Sequence, residues 1–219
     1  MYRYLVFLFL PSLLLNCQSE PTSVEKALST IKDYEQTKNE VATNSAYQAF
    51  LLAYPEHEQA KAIQSKLTAN LPPLSKRLTN LYYNTSDTLQ RISIKGINDY
   101  ILSSKAVAFI HPQMDSIALH LKRSAESAIS IKDFETSLSL YDLLIKEYPN
   151  TKESEQALFR TAFIYDNDLK KLEEAKAAYE DFLEKYPNSE FAQSAEFLLK
   201  NIGKDDAEIL ESLLNQQQQ

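Results

Sequence analysis

Side chains suited to acid–base, metal or nucleophilic chemistry are scattered through this sequence. The three histidines, His57, His111 and His120, form no His-Glu-x-x-His motif and have no partner at ligand spacing. Adjacent acids such as Glu173-Glu174 diverge around a helix, which is typical of a solvated face rather than of an acid/base pair. We therefore predict no metal, no cofactor and no enzymatic activity. A turnover abolished by changing one carboxylate or histidine would overturn this prediction.

The one cysteine, Cys17, cannot form a disulfide within the chain, so its surroundings decide its role. A positively charged start with Arg3 precedes an apolar run from Tyr4 to Leu15. A membrane-spanning helix needs about 20 apolar residues, so this run is too short to span and is typical of a secretory signal. Residues 1–16 are therefore predicted to be a signal peptide.

The end of this segment, Leu-Leu-Asn-Cys17, resembles the lipobox of bacterial lipoproteins. The resemblance implies that Cys17 is acylated and that residues 17–22 form a lipidated tether. Gln18, rather than Asp, follows the cysteine, which by analogy favours the outer membrane. Asn16 departs from the pattern, because Gly, Ala or Ser is usual there. The alternative is a signal peptide with an incidental cysteine, or a simple N-terminal anchor.

One nine-residue phrase occurs three times in the chain. Its frame is Tyr-x-x-(Phe/Leu)-(Leu/Ile)-x-x-Tyr-Pro, and the copies occupy residues 47–55, 141–149 and 179–187. The last two prolines are 38 residues apart, whereas the first two are separated by 94. Self-similarity at a period of about 20 to 50 residues predicts a solenoid.

The phrase has the spacing of a helix that ends at its proline. Its apolar positions recur at i, i+3, i+4 and i+7, which places them on one face. Proline then stops the helix. A small residue follows each proline after five positions, at Ala60, Ser154 and Ala192, where the next helix must approach closely. Each unit is predicted to be a helical hairpin whose apolar face needs a neighbour.

Composition agrees with helices. The chain has 219 residues but only two glycines, Gly96 and Gly203, which disfavours tight β-hairpins and glycine-rich phosphate loops. Its formal net charge of −7 disfavours binding to nucleic acid, because phosphates are bound through an excess of lysine and arginine. We predict an all-α chain that does not bind nucleic acid.

The segment before residue 113 is harder to interpret. A helix over residues 23–37 is expected to pack on the helix that ends at Tyr54, and residues 74–111 have helical spacing without a copy of the phrase. We interpret 74–111 as longer or degenerate hairpins, with Gly96 and His111-Pro112 as breaks. A small non-repeat insertion is the alternative. The whole of 23–112 is predicted to be an N-terminal helical region.

Residues 113–203 are predicted to hold the regular repeats, followed by a C-terminal helix and tail over 204–219. Within the repeats, Asn150-x-x-Glu153 resembles a capping box. The expected elements are helices over 113–130, 150–165, 169–186 and 191–202, a turn over 166–168, and a further short helix over 206–214.

These repeats resemble the tetratricopeptide family, which implies a right-handed superhelical solenoid of helical hairpins. The resemblance is strong from 113 to 203 and fair from 23 to 69. It departs from the family in having no tryptophan, in Leu158 at the first aromatic position and in Lys200 in the last copy. The positions that match the family are the small residues Ala125, Ala162, Ser137 and Ala175, the first-helix tyrosines Tyr34 and Tyr165, and the aromatics that wedge between hairpins, Tyr47, Tyr141 and Tyr179.

The resemblance also implies a concave protein-binding face lined by the first helices of the hairpins. An aromatic pair beside an arginine, as in Phe159, Arg160 and Phe163, is the composition of an interface hot spot. The alternative is that both phenylalanines pack against neighbouring helices. The residues expected on this face are Gln156, Phe159, Arg160, Phe163 and Asp166, with Lys122 and Glu126 from the preceding hairpin.

Lipobox and repeats together resemble a group of envelope lipoproteins. This group contains BamD, the lipoprotein subunit of the β-barrel assembly machinery, and the periplasmic repeat protein that works with the Tol-Pal system. The resemblance implies an adaptor on the periplasmic side of the outer membrane that binds other envelope proteins. The alternative is a structural lipoprotein whose repeats mediate self-association.

Overall fold

A computed structural model describes residues 22–86, 89–204 and 207–208. The predicted signal peptide, Cys17, most of the tether and most of the 206–214 helix lie outside these residues. In the described part, the chain forms helices joined by turns, and its one β contact is an isolated bridge between Ser86 and Ile92. The prediction of an all-α fold is confirmed. No described helix is long and apolar enough to cross a membrane.

Ten α-helices follow one another in the described chain. They are α1 (Ser23–Gln36), α2 (Glu40–Ala53), α3 (Ala60–Lys66), α4 (Leu74–Tyr83), α5 (Ile94–Ile110), α6 (Ile117–Ser130), α7 (Phe134–Glu147), α8 (Lys152–Phe163), α9 (Leu172–Lys185) and α10 (Ala192–Lys200), with a π-helical turn over Ile164–Asp168.

Polar side chains begin several of these helices by accepting a hydrogen bond from a free backbone N–H of the first turn. Thr22 forms a capping box with Glu25 at the start of α1, and Asp133 caps α7 through the N–H of Thr136. The capping box predicted at Asn150 is wrong by one residue. Thr151 is the cap of α8, and its hydroxyl accepts from the Ser154 N–H at 3.1 Å.

Four helices are followed by a capping residue in the same backbone conformation, directly before a proline. Tyr54, His111, Tyr148 and Tyr186 have φ between −130 and −135° and ψ between 48 and 64°. The prediction that the three Tyr-Pro sites end helices is confirmed, and His111 ends α5 in the same way. Gly96, in contrast, is not a break, because it lies in the first turn of α5.

The C-terminal half is a stack of hairpins. Helix α6 packs on α7, α7 on α8, α8 on α9, and α9 on α10, while α6 also contacts α8. The buried apolar residues form two clusters, and α8 contributes Ala157 to the first and Leu158 to the second. Successive hairpins thus cover each other's apolar faces, as a helical solenoid requires.

The positions matched to the repeat pattern are packed as expected. The wedge tyrosines Tyr47, Tyr141 and Tyr179 are buried, and the small residues Ala125, Ala162, Ser137 and Ala175 are fully buried. Without large side chains at these four positions, the helix backbones can approach closely.

The N-terminal half is arranged around α5, which contacts α1, α2, α4 and α6. Helices α2 and α5 run parallel. Two hydrogen bonds along them show this direction: Asn39 donates to Asp99 at 2.9 Å, and Ser45 donates to Ser103 at 3.1 Å. Helices α4 and α5 form a helical hairpin within residues 74–111, the stretch that we interpreted as degenerate hairpins.

The link between α8 and α9 differs from its expected form. Helix α8 ends at Phe163, the chain makes a π-helical turn over Ile164–Asp168, and α9 starts at Leu172. The Leu169 N–H reaches the carbonyl of Ile164 at 2.9 Å, which is the wide spacing of a π turn. The predicted end of the first helix, at residue 165, was therefore wrong by two residues, and the predicted start of the second, at residue 169, was wrong by three.

Candidate protein-binding face

Helices α6 and α8 lie side by side and carry most of the residues predicted for the binding face. Lys122 and Glu126 are on α6, and Gln156, Arg160 and Phe163 are on α8. Glu126 is exposed and the other four are half-buried. We call these five residues the α6–α8 face.

Tyr141 underlies this face. Its ring is fully buried in α7, and the charges of Glu126 and Arg160 both act on its hydroxyl. Burial is the main reason that the pKa of Tyr141 rises to about 12; Glu126 raises this pKa further and Arg160 lowers it. Glu126 and Arg160 therefore act on the same tyrosine from two neighbouring helices, although they are 34 residues apart in sequence.

The two cations of the face differ in their partners. Lys122 pairs with Glu126 one helical turn away, at 3.3 Å. In the part of the chain that the structure describes, no carboxylate forms an ion pair with the Arg160 guanidinium, which lies 5.6 Å from the centre of the Phe163 ring. A half-buried arginine on an aromatic ring and without a carboxylate is suited to contact a partner.

Phe159 does not belong to the open face. Its ring stacks on Phe191 at 5.1 Å between centroids and lies 5.5 Å from Phe182 of α9. The structure thus places Phe159 in the packing between α8, α9 and the start of α10, as the alternative interpretation holds. Phe163 differs, since it belongs to neither apolar cluster and its ring faces the guanidinium of Arg160.

Asp166 lies apart from the α6–α8 face, in the π-helical turn. Burial raises the pKa of its carboxyl, while Lys170 and the Tyr179 hydroxyl act in the opposite direction. Burial, followed by the charge of Asp166, raises the pKa of Tyr179. Asp166 therefore interacts with the wedge tyrosine of the last repeat.

Glu35 is a residue that the sequence interpretation missed. It accepts a hydrogen bond from the wedge tyrosine Tyr47 at 2.7 Å and one from Lys66 at 2.8 Å, and these two bonds lower the pKa of its carboxyl. Each wedge tyrosine thus has a carboxylate near its hydroxyl. The carboxylates of Glu35, Glu126 and Asp166 precede their tyrosines by 12, 15 and 13 residues, a spacing that was visible in the sequence.

His120 has a structural position that its sequence context did not indicate. It is buried in α6, and its Nδ1 lies 2.8 Å from the Tyr100 hydroxyl of α5. Burial, and secondarily the charge of Arg123, lowers the pKa of His120 to about 4. Arg123 in turn lies 4.7 Å from the centre of the Tyr82 ring of α4. This cluster joins the N-terminal half to the first regular hairpin.

Comparison with known proteins gives a family match over part of the chain. The family model described as tetratricopeptide repeat matches residues 123–151 and 156–189, which contain most of α6 with α7 and most of α8 with α9. The copy at 47–55 lies outside these matches. No curated protein matches the chain. Together with the stacked hairpins, the two family matches support a tetratricopeptide-repeat protein.

Proposed function

We propose that this protein is a lipid-anchored adaptor of the bacterial cell envelope that binds other proteins through its α6–α8 face. Tetratricopeptide repeats suggest a role in protein–protein interaction. The observation that carries the proposal is the Arg160 guanidinium, which lies on the Phe163 ring without a carboxylate partner in the described chain. A partner's carboxylate or backbone carbonyl would complete the hydrogen bonding of this arginine.

The anchor in this proposal rests on the sequence of residues 1–22. An apolar segment that ends in Leu-Leu-Asn-Cys17 supports acylation of Cys17, with the protein held on the periplasmic side of the outer membrane. Within this setting we propose a role in outer-membrane protein assembly like that of BamD. A role beside the Tol-Pal system is the second candidate, because the same lipobox and repeats support it.

Cross-linking in intact cells tests the binding face. A photo-activated cross-linking residue at Gln156 should capture envelope proteins, because Gln156 lies on α8 beside Arg160. The matched control carries the same residue at Glu180, an exposed position on α9. Equal capture at the two positions would contradict the assigned face. Capture of only a second copy of this chain would favour the self-associating alternative.

Two phenylalanine variants separate binding from packing. Phe163→Ala should leave the melting temperature nearly unchanged and weaken capture, because this ring lies outside both apolar clusters. Phe159→Ala should lower the melting temperature, because its ring packs on Phe182 and Phe191. A large drop in melting temperature for Phe163→Ala would assign that residue to the core instead.

The anchor has an independent test. Cys17→Ser should release the protein from the membrane fraction of lysed cells, because no acyl chain can then be attached at this position. Unchanged membrane association of the variant would show that another feature holds the protein at the membrane.

A further inference from the structure

Arg123 and Arg160 occupy equivalent positions on α6 and α8, the first helices of two successive hairpins. They are 37 residues apart, which is also the separation of the prolines that precede α6 and α8. Each arginine comes two residues before a fully buried alanine, Ala125 on α6 and Ala162 on α8, and both arginine side chains are half-buried. Because the hairpins of a solenoid stack with a repeating geometry, equivalent positions lie on the same side of the stack.

Arg123 lies against aromatic rings of α4. Its guanidinium is 4.7 Å from the centre of the Tyr82 ring, and the centres of the Tyr82 and Tyr83 rings are 5.7 Å apart. Tyr83 has 70% of its surface exposed, so this group of side chains reaches the solvent. Among the residues that the structure describes, no carboxylate forms an ion pair with Arg123. We call Arg123, Tyr82 and Tyr83 the α4–α6 site.

Arg160 and Phe163 form a comparable site on the next hairpin. The Arg160 guanidinium is 5.6 Å from the centre of the Phe163 ring and has no carboxylate partner within the described ranges. The nearby acid Glu126 pairs instead with Lys122, at 3.3 Å. Both sites thus combine an aromatic ring with an arginine that no acid of the described chain neutralises.

The surroundings of the two arginines agree as well. Burial raises the pKa of Tyr100 on α5, and the charge of Arg123 opposes this rise. Burial likewise raises the pKa of Tyr141 on α7, and there the charge of Arg160 acts in the opposite direction. Each arginine therefore lies close to a buried tyrosine of the hairpin that precedes its own.

The packing of first helices sets the distance between the two sites. Helix α6 contacts α8, and the axes of packed helices are about 8 to 10 Å apart. A polyproline II segment has three residues per turn and rises about 3.1 Å per residue, so side chains three positions apart point the same way and are about 9 Å apart. Guanidinium groups bind carboxylates through two parallel hydrogen bonds. Acidic residues three positions apart in such a segment therefore match the two arginines.

The rings beside the arginines and the charge of the chain favour the same ligand. Proline-rich segments dock on surfaces lined by aromatic side chains, which Tyr82, Tyr83 and Phe163 provide. The chain as a whole carries −7, so it repels a large polyanion or an anionic membrane. A short segment with two carboxylates meets mainly the two arginines.

We propose that the α4–α6 site and the Arg160–Phe163 pair together bind an extended, proline-containing segment of a partner protein, in which two acidic side chains three residues apart each pair with one arginine. This inference rests on the proposed function, because it names the class of partner for the α6–α8 face. It also extends the binding surface onto α4, which lies outside the residues that the family model matches.

Three labelled peptides test the chemistry of the ligand by fluorescence anisotropy with the purified protein. The first is proline-rich, is blocked at both ends and has two glutamates three residues apart. The second has glutamines at these positions, and the third has its two glutamates adjacent. The first should bind most tightly, and its affinity should fall as the salt concentration rises. Equal affinity for the first peptide and either of the others would overturn the proposal.

Substitutions test the two arginines separately. Arg123→Gln and Arg160→Gln should each weaken binding of the first peptide at least about tenfold, because each removes one charged hydrogen-bonded pair. The matched control is Lys146→Gln, which removes the same charge from an exposed lysine of α7 that pairs with Asp142. It should leave the affinity nearly unchanged. An Arg123→Gln variant that binds like the control would overturn the proposal.

A milder variant keeps this test valid if Arg123→Gln does not fold, which circular dichroism shows. Arg123→Lys preserves the positive charge beside Tyr82 but lacks the planar guanidinium, so it should still weaken binding of the first peptide. Unchanged affinity of this variant, together with loss of affinity in Arg160→Gln, would restrict the site to α8 and overturn the proposal.

Two further outcomes separate this inference from the proposed function. If capture by the cross-linking residue at Gln156 is lost with Arg160→Gln but not with Arg123→Gln, the α6–α8 face stands and the extended site fails. If Gln156 captures nothing in the natural protein, the proposed function fails even where the first peptide binds. Displacement of the first peptide by phosphatidylglycerol vesicles at equal charge would overturn the inference and indicate an anionic lipid instead.

Discussion

Helices α5 and α9 reach the same ending with different side chains. In both, the residue after the helix lies directly before a proline, and these two capping residues have nearly identical φ and ψ. Eight residues before that proline, α9 has Tyr179, whose buried ring lies 6.3 Å from Phe159 of α8. The equivalent residue of α5 is Ser104, whose hydroxyl donates to the Tyr100 carbonyl of its own helix at 2.9 Å.

This difference separates what ends a helix from what holds it against its neighbour. Proline imposes the ending, because it restricts the residue before it and lacks an N–H. The wedge tyrosine packs one hairpin against the next, whereas the N-terminal half connects its helices through polar contacts. There the buried Arg77 of α4 donates to the Ser45 hydroxyl at 3.1 Å and to the Val41 carbonyl at 2.8 Å, which ties α4 to α2.

The largest expected effect tests this separation directly. Tyr179→Ala should reduce the free energy of unfolding by about 3 to 5 kcal/mol, because it removes a fully buried ring between hairpins. Ser104→Ala at the equivalent position of α5 should change it by less than about 1 kcal/mol, since only a bond within one helix is lost. Urea unfolding of both variants measures the contrast, and a loss below about 1 kcal/mol for Tyr179→Ala would contradict the wedge assignment.

The same contrast explains which parts of the fold were predictable. The three phrase copies fixed three helix ends correctly because tyrosine and proline occur together in each. The ending at His111-Pro112 lies 57 residues after Pro55 and 37 before Pro149. It was interpreted only as a break, because Ser104 occupies the position where a fourth copy of the phrase would have its first tyrosine. The spacing of apolar residues predicts helices. The packing around α5, however, depends on contacts between residues about 60 positions apart in sequence, and this spacing does not predict such contacts.

The candidate face was predictable only in part, for a similar reason. Helical spacing placed Gln156, Arg160 and Phe163 on one side of α8, where the structure also has them. It could not separate Phe159 from this set, because the ring that stacks on it, Phe191, comes from the segment after α9. The shared influence of Glu126 and Arg160 on Tyr141 likewise became visible only with α6 and α8 side by side.

A smaller effect is expected at Gly96, on the side of the molecule without the phrase. Gly96→Ala should destabilise the protein by about 1 to 3 kcal/mol, because the new Cβ would lie 2.1 Å from the Asn84 carbonyl and the backbone must move. Alanine favours a helix over glycine by about 1 kcal/mol, which offsets only part of this cost. Thermal unfolding measures the change. The control is Asn98→Ala on an exposed residue of the same helix, and an equal effect of the two variants would contradict the close approach.

The junction between the two halves should respond to acid. Burial lowers the pKa of His120 from its ordinary 6.5 to about 4, so between these values the unfolded chain binds a proton that the folded protein does not. The stability associated with neutral His120 is therefore complete above pH 6.5 and is lost as the pH falls toward 4. In His120→Gln, the melting temperature should fall less steeply over this range. If the melting temperatures of the variant and the natural protein fell equally steeply with pH, His120 would not contribute to the acid sensitivity.

The smallest expected effect concerns a turn that both halves share. A positive φ, between 53 and 60°, occurs two residues before the second helix of three hairpins, at Lys38, Lys132 and Lys170. A left-handed conformation costs a non-glycine residue about 1 kcal/mol or more, and glycine avoids this cost but loses about 0.5 to 1 kcal/mol of chain entropy on folding. Lys132→Gly should therefore raise the free energy of unfolding by at most about 1 kcal/mol. Lys38→Gly should match it if the turn is independent of the aromatic packing around it. A gain at Lys132 with a loss at Lys38, measured by urea unfolding, would show that the turns of the two halves differ as their cores do.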